Sequence, residues 1–252
     1  MAKNNACDVL TGDWNPIIGC QRYSAGCRKC WFLDALFPWQ QRLGRISPEV
    51  QPNTPYVFEE RLNSAYLRPK NGIVGVCQHG DLFWDLIPDA LIHRVLDVID
   101  RTAPTKRNPP KYILWTKRAE RMHSILTARY PHGTPGYIAC AVSMENQAAV
   151  DERLPFLLAT NTTRIVVIEP MLGPVTLPSV EHLDWIIVGS ETGKDEPRPR
   201  PTELDWARRV RDQAVEAHVP FFLKQLNSLH GSHALRELDG ESWNEFPPGF
   251  TK

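Results

Sequence analysis

The segment KYILWTKRAERMHSILTARYPHGTPGYIACAVS (residues 111–143) carries the pattern that decides the fold. It begins and ends with short runs rich in β-branched and aromatic residues, at 111–116 and 136–143, which predict strands buried on both faces. Between them, RAERMHSILTARY (118–130) places its apolar residues along one side of a helix. A strand, a helix and a second strand in this order predict a βαβ unit with parallel strands.

The same alternation extends along the chain. Further strand-like runs lie at 72–78, 164–169, 185–190 and 220–225, and helical patterns at 88–102, 145–160 and 202–218. Pro155 is expected to kink or split one helix, and Thr202 to cap another. With a first strand just before Cys20, about seven βα units result. They predict an α/β fold, a closed or partial TIM-type parallel β/α barrel, with an open doubly wound sheet as the alternative.

The chain length fits one such barrel. We expect residues 1–252 to form a single domain, with an irregular, proline-rich insertion at about 37–71. No G-x-G-x-x-G or P-loop motif occurs, which argues against dinucleotide and nucleoside triphosphate binding. No run has the length and apolarity of a membrane helix, and the first residues lack a secretory signal, so a cytoplasmic protein without a membrane partner is expected.

Charge does not single out a nucleic-acid-binding protein. The chain has 29 Lys and Arg against 29 Asp and Glu, a formal net charge of zero. A protein that holds nucleic acid by charge alone is usually basic. Local basic segments, such as TKRNPPK (105–111) and GKDEPRPRP (193–201), leave room for contacts with phosphates.

Three cysteines, Cys20, Cys27 and Cys30, have the spacing C-x6-C-x2-C. In a reducing compartment this grouping indicates metal or redox chemistry rather than disulfides. A structural zinc ion would need a fourth ligand, for which Cys7 is available. The other interpretation is an iron–sulfur cluster with three protein ligands, in which one iron keeps an open position.

Polar side chains follow most of the predicted strands. In a parallel barrel the active site lies where the strands end, so these side chains should converge on one mouth. They are His79, Asp81, Lys117, Ser143, Glu145, Glu169, Glu191 and Lys224.

The cysteine segment WNPIIGCQRYSAGCRKCW (14–31) resembles the WNP-x2-GC-x3-S-x-GC-x2-CY signature of a family of phage-encoded and bacterial proteins of unknown function that is regarded as radical-SAM-like. This chain has Trp31 where the family has Tyr. Further matching blocks are GDLF (80–83), WTKRAERM (115–122), AVSME (141–145), IEPMLGP (168–174), GSETG (189–193), FLKQ (222–225) and LDGESWNEFPPG (238–249).

The resemblance implies a radical S-adenosylmethionine (SAM) enzyme with a barrel of that type. Cys20, Cys27 and Cys30 would bind a [4Fe–4S] cluster, which would cleave SAM to a 5′-deoxyadenosyl radical with an electron from a partner such as flavodoxin or ferredoxin. By the same analogy, SAM would contact Gly80, Asp81, Lys117, Ser143, Glu145, Glu169 and Pro170. Substrate would contact His79, Ser190, Glu191, Lys224 and Gln225, and the catalytic residues would be Lys117, Glu191 and Lys224.

The family's phage distribution implies a nucleic-acid substrate such as DNA, although a free nucleotide or amino acid is equally consistent with the net charge of zero. The reaction implied is phage thymine hypermodification, in which a DNA base or its amino-acid adduct is modified or rearranged in the host cytoplasm. It would require the base to be extruded from the duplex into the mouth of the barrel. The alternative function is a zinc-stapled barrel that binds nucleic acid or a partner without catalysis.

Overall fold

The computed structural model describes residues 9–63, 72–192, 199–227, 234–235 and 237–250. Its main sheet has eight strands. Two further sheets have two strands each. In chain order, the strands of all three sheets are β1 Gly12–Trp14, β2 Ile17–Ile18, β3 Tyr56–Val57, β4 Ile73–Val76, β5 Lys111–Thr116, β6 Ile138–Ser143, β7 Thr163–Ile168, β8 Trp185–Gly189, β9 Phe221–Asn227, β10 Ala234–Leu235, β11 Glu237–Leu238 and β12 Glu241–Ser242. The two-stranded sheets pair β2 with β3 and β11 with β12. The order of the main sheet is β1-β4-β5-β6-β7-β8-β9-β10, and only its β9–β10 pairing is antiparallel.

The helices follow the strands as the sequence pattern predicts. They are α1 Phe37–Arg42, α2 Asp89–Thr102, α3 Ala119–Arg129, α4 Gln147–Ala159 and α5 Leu204–Glu216, with a π-helical turn, Phe32–Leu36, before α1. Of the two effects expected of Pro155, a kink or a split, the split is wrong, because α4 continues across this residue. The predicted Thr202 cap is also wrong, since its hydroxyl donates to the Met171 carbonyl instead.

The two faces of the sheet are covered differently. On β5, Tyr112 and Leu114 pack into the large core that contains the apolar sides of α2 to α5, whereas Ile113 belongs to a second core. Among the described residues this second core contains no helical residue, and its strand side chains pack on Phe246 and Phe250 near the C-terminus. A doubly wound sheet requires helices on both faces, so that alternative is wrong. The seven parallel strands form a curled half-barrel with its helices outside, which confirms the prediction of a partial β/α barrel at this level.

A small substructure beside the half-barrel positions the cysteine segment. Strands β2 and β3 pair with each other, and a third core joins them to the π-helical turn and α1 through Ile18, Phe32, Phe37 and Phe58. The predicted insertion therefore begins inside a helix rather than in irregular chain. Its last part, residues 64–71, lies outside the described residues. No helix in the described ranges is long and apolar enough to cross a bilayer.

Two glycines join this substructure to the sheet. Gly19 and Gly80 form an isolated parallel bridge, in which the Gly19 amide donates to the His79 carbonyl at 3.0 Å. A Cβ at Gly80 would lie 2.5 Å from the Gly19 carbonyl oxygen, and Gly19 itself has a φ of +104°. Both positions require glycine, and together they determine where the chain enters the cysteine segment.

Gly80→Ala is expected to lower the free energy of unfolding by about 1–3 kcal/mol, because the new methyl group must push the Gly19 backbone away. Chemical denaturation measures this. The matched control is Gly136→Ala, where a Cβ would meet nothing within 4 Å. The control should leave stability unchanged or raise it by about 0.5 kcal/mol. Equal effects of the two substitutions would contradict the close approach.

Candidate metal centre

The three cysteines of the sequence motif lie in the segment that follows β2, next to the ends of the parallel strands. Cys20, Cys27 and Cys30 are free thiols of intermediate exposure, and Cys27 ends a 3-10 turn. Burial, followed by the Asp81 charge, raises the pKa of Cys20 to about 12, and burial also raises the pKa of Cys30. The Cys27 thiol contributes to both increases, so it lies near each of the other two.

Within the described ranges, no three His, Cys, Asp or Glu side chains form a group that could hold a single metal ion. Cys7, the proposed fourth zinc ligand, lies outside those ranges. The other two cysteines, Cys77 and Cys140, are buried in the large core away from the motif.

Asp81 follows β4 and is saturated by donors from the protein. Its Oδ1 accepts from the Phe83 amide and the Thr116 hydroxyl, and its Oδ2 accepts from the Lys117 amide and the Arg118 guanidinium. A carboxylate has about four lone-pair sites, and all four are used here. Asp81 therefore ties the loops after β4 and β5 together, and the predicted contact with a cofactor ammonium would have to displace one of these donors.

Arg118 connects this carboxylate to the cysteine segment. Its ion pair with Asp81 is 2.9 Å long, with both side chains at least nine-tenths buried. The guanidinium also interacts with the Cys20 thiol and lies over the Tyr23 ring at 4.9 Å. One cation thus links the end of β5 to both ends of the span from Cys20 to Tyr23.

Glu145 follows β6 and makes an equally buried ion pair. Its Oε2 accepts from Arg153 at 2.9 Å, and its Oε1 accepts from the Gly26 amide at 3.3 Å. Burial alone would raise the pKa of this carboxyl; the Ser24 hydroxyl, Arg153 and Lys117 act in the opposite direction and hold the pKa below its usual range. The ionised Glu145 therefore holds the cysteine segment by its backbone beside Cys27.

Glu191 follows β8 and reaches the same segment through arginines. Arg200 donates to Glu191 from its backbone amide and from its guanidinium, and the guanidinium also donates to the Ala25 carbonyl at 2.9 Å. Burial acts to raise the pKa of Glu191, but Arg200 and then Arg28 outweigh it and lower the pKa. Because Arg200 has these partners, it is not simply a phosphate contact in segment 193–201; residues 193–198 lie outside the described part of the chain.

Glu169 and Lys224 form a fourth pair, further round the sheet. Lys224 donates to Glu169 Oε2, and Gln225 donates to Glu169 Oε1 at 3.0 Å and to the Ser190 carbonyl at 3.1 Å. Glu169 precedes Pro170 at the end of β7. Four residues of the predicted cofactor and substrate sets, Glu169, Ser190, Lys224 and Gln225, are therefore in one network.

Lys117 is the exception among the charged residues at the strand ends. Its ammonium makes no hydrogen bond or ion pair with the described residues. It is nevertheless close enough to Cys30 to oppose the rise in the pKa of that thiol, and close enough to Glu145 to help lower the pKa of that carboxyl. Its side chain is partly exposed. Of the predicted catalytic residues, Lys117 is the one placed beside the thiols with its charge available to a ligand.

His79 lies in an aromatic pocket at the end of β4. Its ring stacks on Phe32 at 5.7 Å and meets the edge of Trp31 at 5.8 Å, and its Nε2 lies 3.6 Å from Asp13. Burial lowers the pKa of the imidazole, although Asp13 opposes this. His79 therefore packs the joint between β4 and the π-helical turn. The remaining predicted residue, Ser143, is buried at the end of β6, and its carbonyl accepts from Arg153 at 2.7 Å.

Sequence reasoning predicted Lys224 but missed the role of the arginines that hold this site together. Arg118, Arg153 and Arg200 each pair with a predicted carboxylate, but only Arg118 adjoins a predicted site residue. An arginine within a helical pattern, such as Arg153, is indistinguishable from a solvated surface charge by its sequence alone. Burial reveals its role, since a buried arginine requires a countercharge.

Glu145→Gln is expected to lower the free energy of unfolding by about 3 kcal/mol at neutral pH, because it removes the only buried carboxylate paired with Arg153 among the described residues and leaves that arginine with the half-exposed Glu152 alone. Denaturant titration measures the loss. Glu152→Gln is the matched control: Glu152 lies 3.6 Å from the same arginine but is about half exposed. This control should cost less than about 1 kcal/mol.

The difference between Glu145→Gln and the unsubstituted protein should depend on pH. A carboxyl with a lowered pKa in the folded state stabilises fully above its unfolded pKa of about 4.3 and loses that effect as pH falls through the folded value. The stability gap should therefore be constant near neutral pH and shrink below about pH 4. A gap that does not change with pH would mean that the charge of Glu145 is not what stabilises the segment.

Comparisons with known proteins address the family rather than the chemistry. No curated protein and no solved structure matches the chain. One family model matches residues 7–247, nearly the whole chain, and is described as a protein of unknown function (DUF5131). The match includes the cysteine motif and every strand-end residue discussed above. By this match, the chain belongs to the DUF5131 family of proteins of unknown function.

Proposed function

We propose that Cys20, Cys27 and Cys30 bind a [4Fe–4S] cluster and that the protein is a radical SAM enzyme. The observation that supports this is the position of the three free thiols, which belong to one segment beside the strand ends of a parallel half-barrel. Cys27 lies close enough to Cys20 and to Cys30 to contribute to the raised pKa of each. In barrels of parallel strands, active sites lie at this edge.

The properties of the thiols suit a cluster. Iron–sulfur clusters are held by thiolates, and ligation displaces the thiol protons. Burial keeps Cys20 and Cys30 protonated without metal, so binding should release protons and be favoured by rising pH. A bound cluster with three protein ligands would keep one position for SAM and supply the electron that cleaves it.

The surrounding residues would orient the ligands. Glu145 and Arg200 hold the backbone at Gly26 and Ala25, just before Cys27, so the segment is positioned by groups outside it. Lys117 would bind an anionic group of SAM or substrate, because its ammonium lies near Cys30 without an ion-pair partner among the described residues. The Glu169–Lys224 pair would face substrate at the other side of the strand ends. We propose a nucleic-acid base, or an amino-acid adduct of one, as the substrate class.

The test is anaerobic reconstitution of the full chain with iron and sulfide, followed by reduction with dithionite and addition of SAM. We expect about four irons per chain and release of 5′-deoxyadenosine, measured by chromatography. Cys27→Ala should abolish the product. Cys140→Ala is the matched control, since Cys140 is buried in the core, and it should retain both iron and product.

Tightly held zinc, no iron and no 5′-deoxyadenosine would overturn the proposal. In that case Cys7→Ala should reduce the zinc content, as expected for the zinc-stapled binding protein. Iron bound equally by the native chain and by Cys27→Ala would show that the iron is adventitious.

A further inference from the structure

The helical segment that follows Cys30 exposes an unusual series of side chains. Trp31, Trp39 and Leu43 are 49%, 43% and 50% exposed, and Ala35 between them is also exposed. The four-residue spacing places them along one side, because residues four apart are neighbours on a helix. Phe32 and Phe37 are buried and turn the opposite side toward the third core. We call Trp31, Ala35, Trp39 and Leu43 the tryptophan stripe.

The segment that carries the tryptophan stripe is rich in positively charged residues. Residues 22–45 contain five Lys and Arg and one Asp, although the whole chain has a formal net charge of zero. The one carboxylate, Asp34, is paired with Arg22. Arg42 and Arg45 are exposed and make no ion pair with the described residues, and the Arg45 guanidinium lies 5.1 Å from the centre of the Trp39 ring.

The tryptophan stripe begins at the candidate metal centre. Trp31 is the residue after Cys30, and the edge of its ring meets His79 at the end of β4. A linear ligand lying on the stripe would therefore pass the rim of the strand ends, where chemistry would occur.

We infer that the tryptophan stripe and the adjacent Arg42 and Arg45 bind a single-stranded or locally unpaired nucleic acid. Such a strand offers bases to the indole rings and phosphates to the guanidinium groups, which is the combination used by single-strand-binding proteins. An acidic protein would satisfy the charge but not the separate exposed rings. The inference deepens the proposed function, on which it rests, by naming the surface that would guide the substrate strand to the site.

The test is fluorescence anisotropy with a labelled oligothymidylate and the reconstituted full chain. Trp39→Ala should weaken binding by about fivefold to a hundredfold, because one base loses its stacking partner. The double substitution Arg42→Ala and Arg45→Ala should weaken binding and reduce the slope of log K against log salt by about one to two.

Matched controls are Leu86→Ala and Arg101→Ala, which alter an exposed apolar residue and an exposed cation outside the stripe. Both should bind the oligonucleotide like the native chain. The inference is overturned if Trp39→Ala binds normally, if the native chain does not bind, or if polyglutamate competes as well as unlabelled oligonucleotide; the last result would indicate an acidic protein partner.

The same preparation separates this inference from the proposed function. SAM cleavage is measured alongside binding, and Trp39→Ala should still release 5′-deoxyadenosine because Trp39 is not among the proposed cluster or SAM contacts. Cleavage of SAM without oligonucleotide binding would overturn the inference that the stripe binds nucleic acid, and would leave the proposed radical chemistry supported. Oligonucleotide binding without cleavage of SAM would support the nucleic-acid-binding stripe and overturn the proposed radical chemistry.

Discussion

The structure around the cysteines depends on the pairing of carboxylates at the strand ends with cations from other parts of the chain. Each of β4, β6, β7 and β8 is followed by a buried or half-buried carboxylate with a cationic partner. A buried charge is tolerated only when it is paired and hydrogen-bonded, so these contacts are mutually required. Three of the four pairs also contact the cysteine segment, at Cys20, Gly26 and Ala25.

These contacts mean that the protein itself, rather than a bound ligand, holds the cysteine segment in an ordered position. The backbone around Cys27 is held by side chains from the loops after β6 and β8, and the Gly19–Gly80 bridge holds the beginning of the segment. Several residues that resemble ligand contacts in the sequence, including Asp81, Glu145 and Glu191, are therefore occupied in holding it. Lys117 keeps a charge near the thiols that is not committed in this way.

The degree to which sequence predicted the structure differs between the fold and the site. Periodicity located β5 to the residue and α2 and α3 to within one residue at either end, because strand and helix patterns are local properties of the chain. It also placed most of the polar residues correctly after the strands, but Ser143 is the last residue of β6 and Lys224 lies inside β9. It could not identify their partners: Arg118 is 37 residues from Asp81 and Lys224 is 55 residues from Glu169. Thr202 was misread for the same reason, since its acceptor, Met171, is distant in sequence.

By itself, the sequence determined the alternation of strands and helices, the edge where polar groups gather and the presence of three closely spaced thiols. These follow from hydrophobic period and residue order, which need no knowledge of distant contacts. Only the tertiary structure decided that the helices cover one face of the sheet, and that the strand-end carboxylates bind arginines and a lysine of the chain. It also left Trp31 and Trp39 exposed while burying Phe32 and Phe37 beside them. Burial, charge pairing and exposure depend on which segments meet in space, and local sequence does not encode that choice.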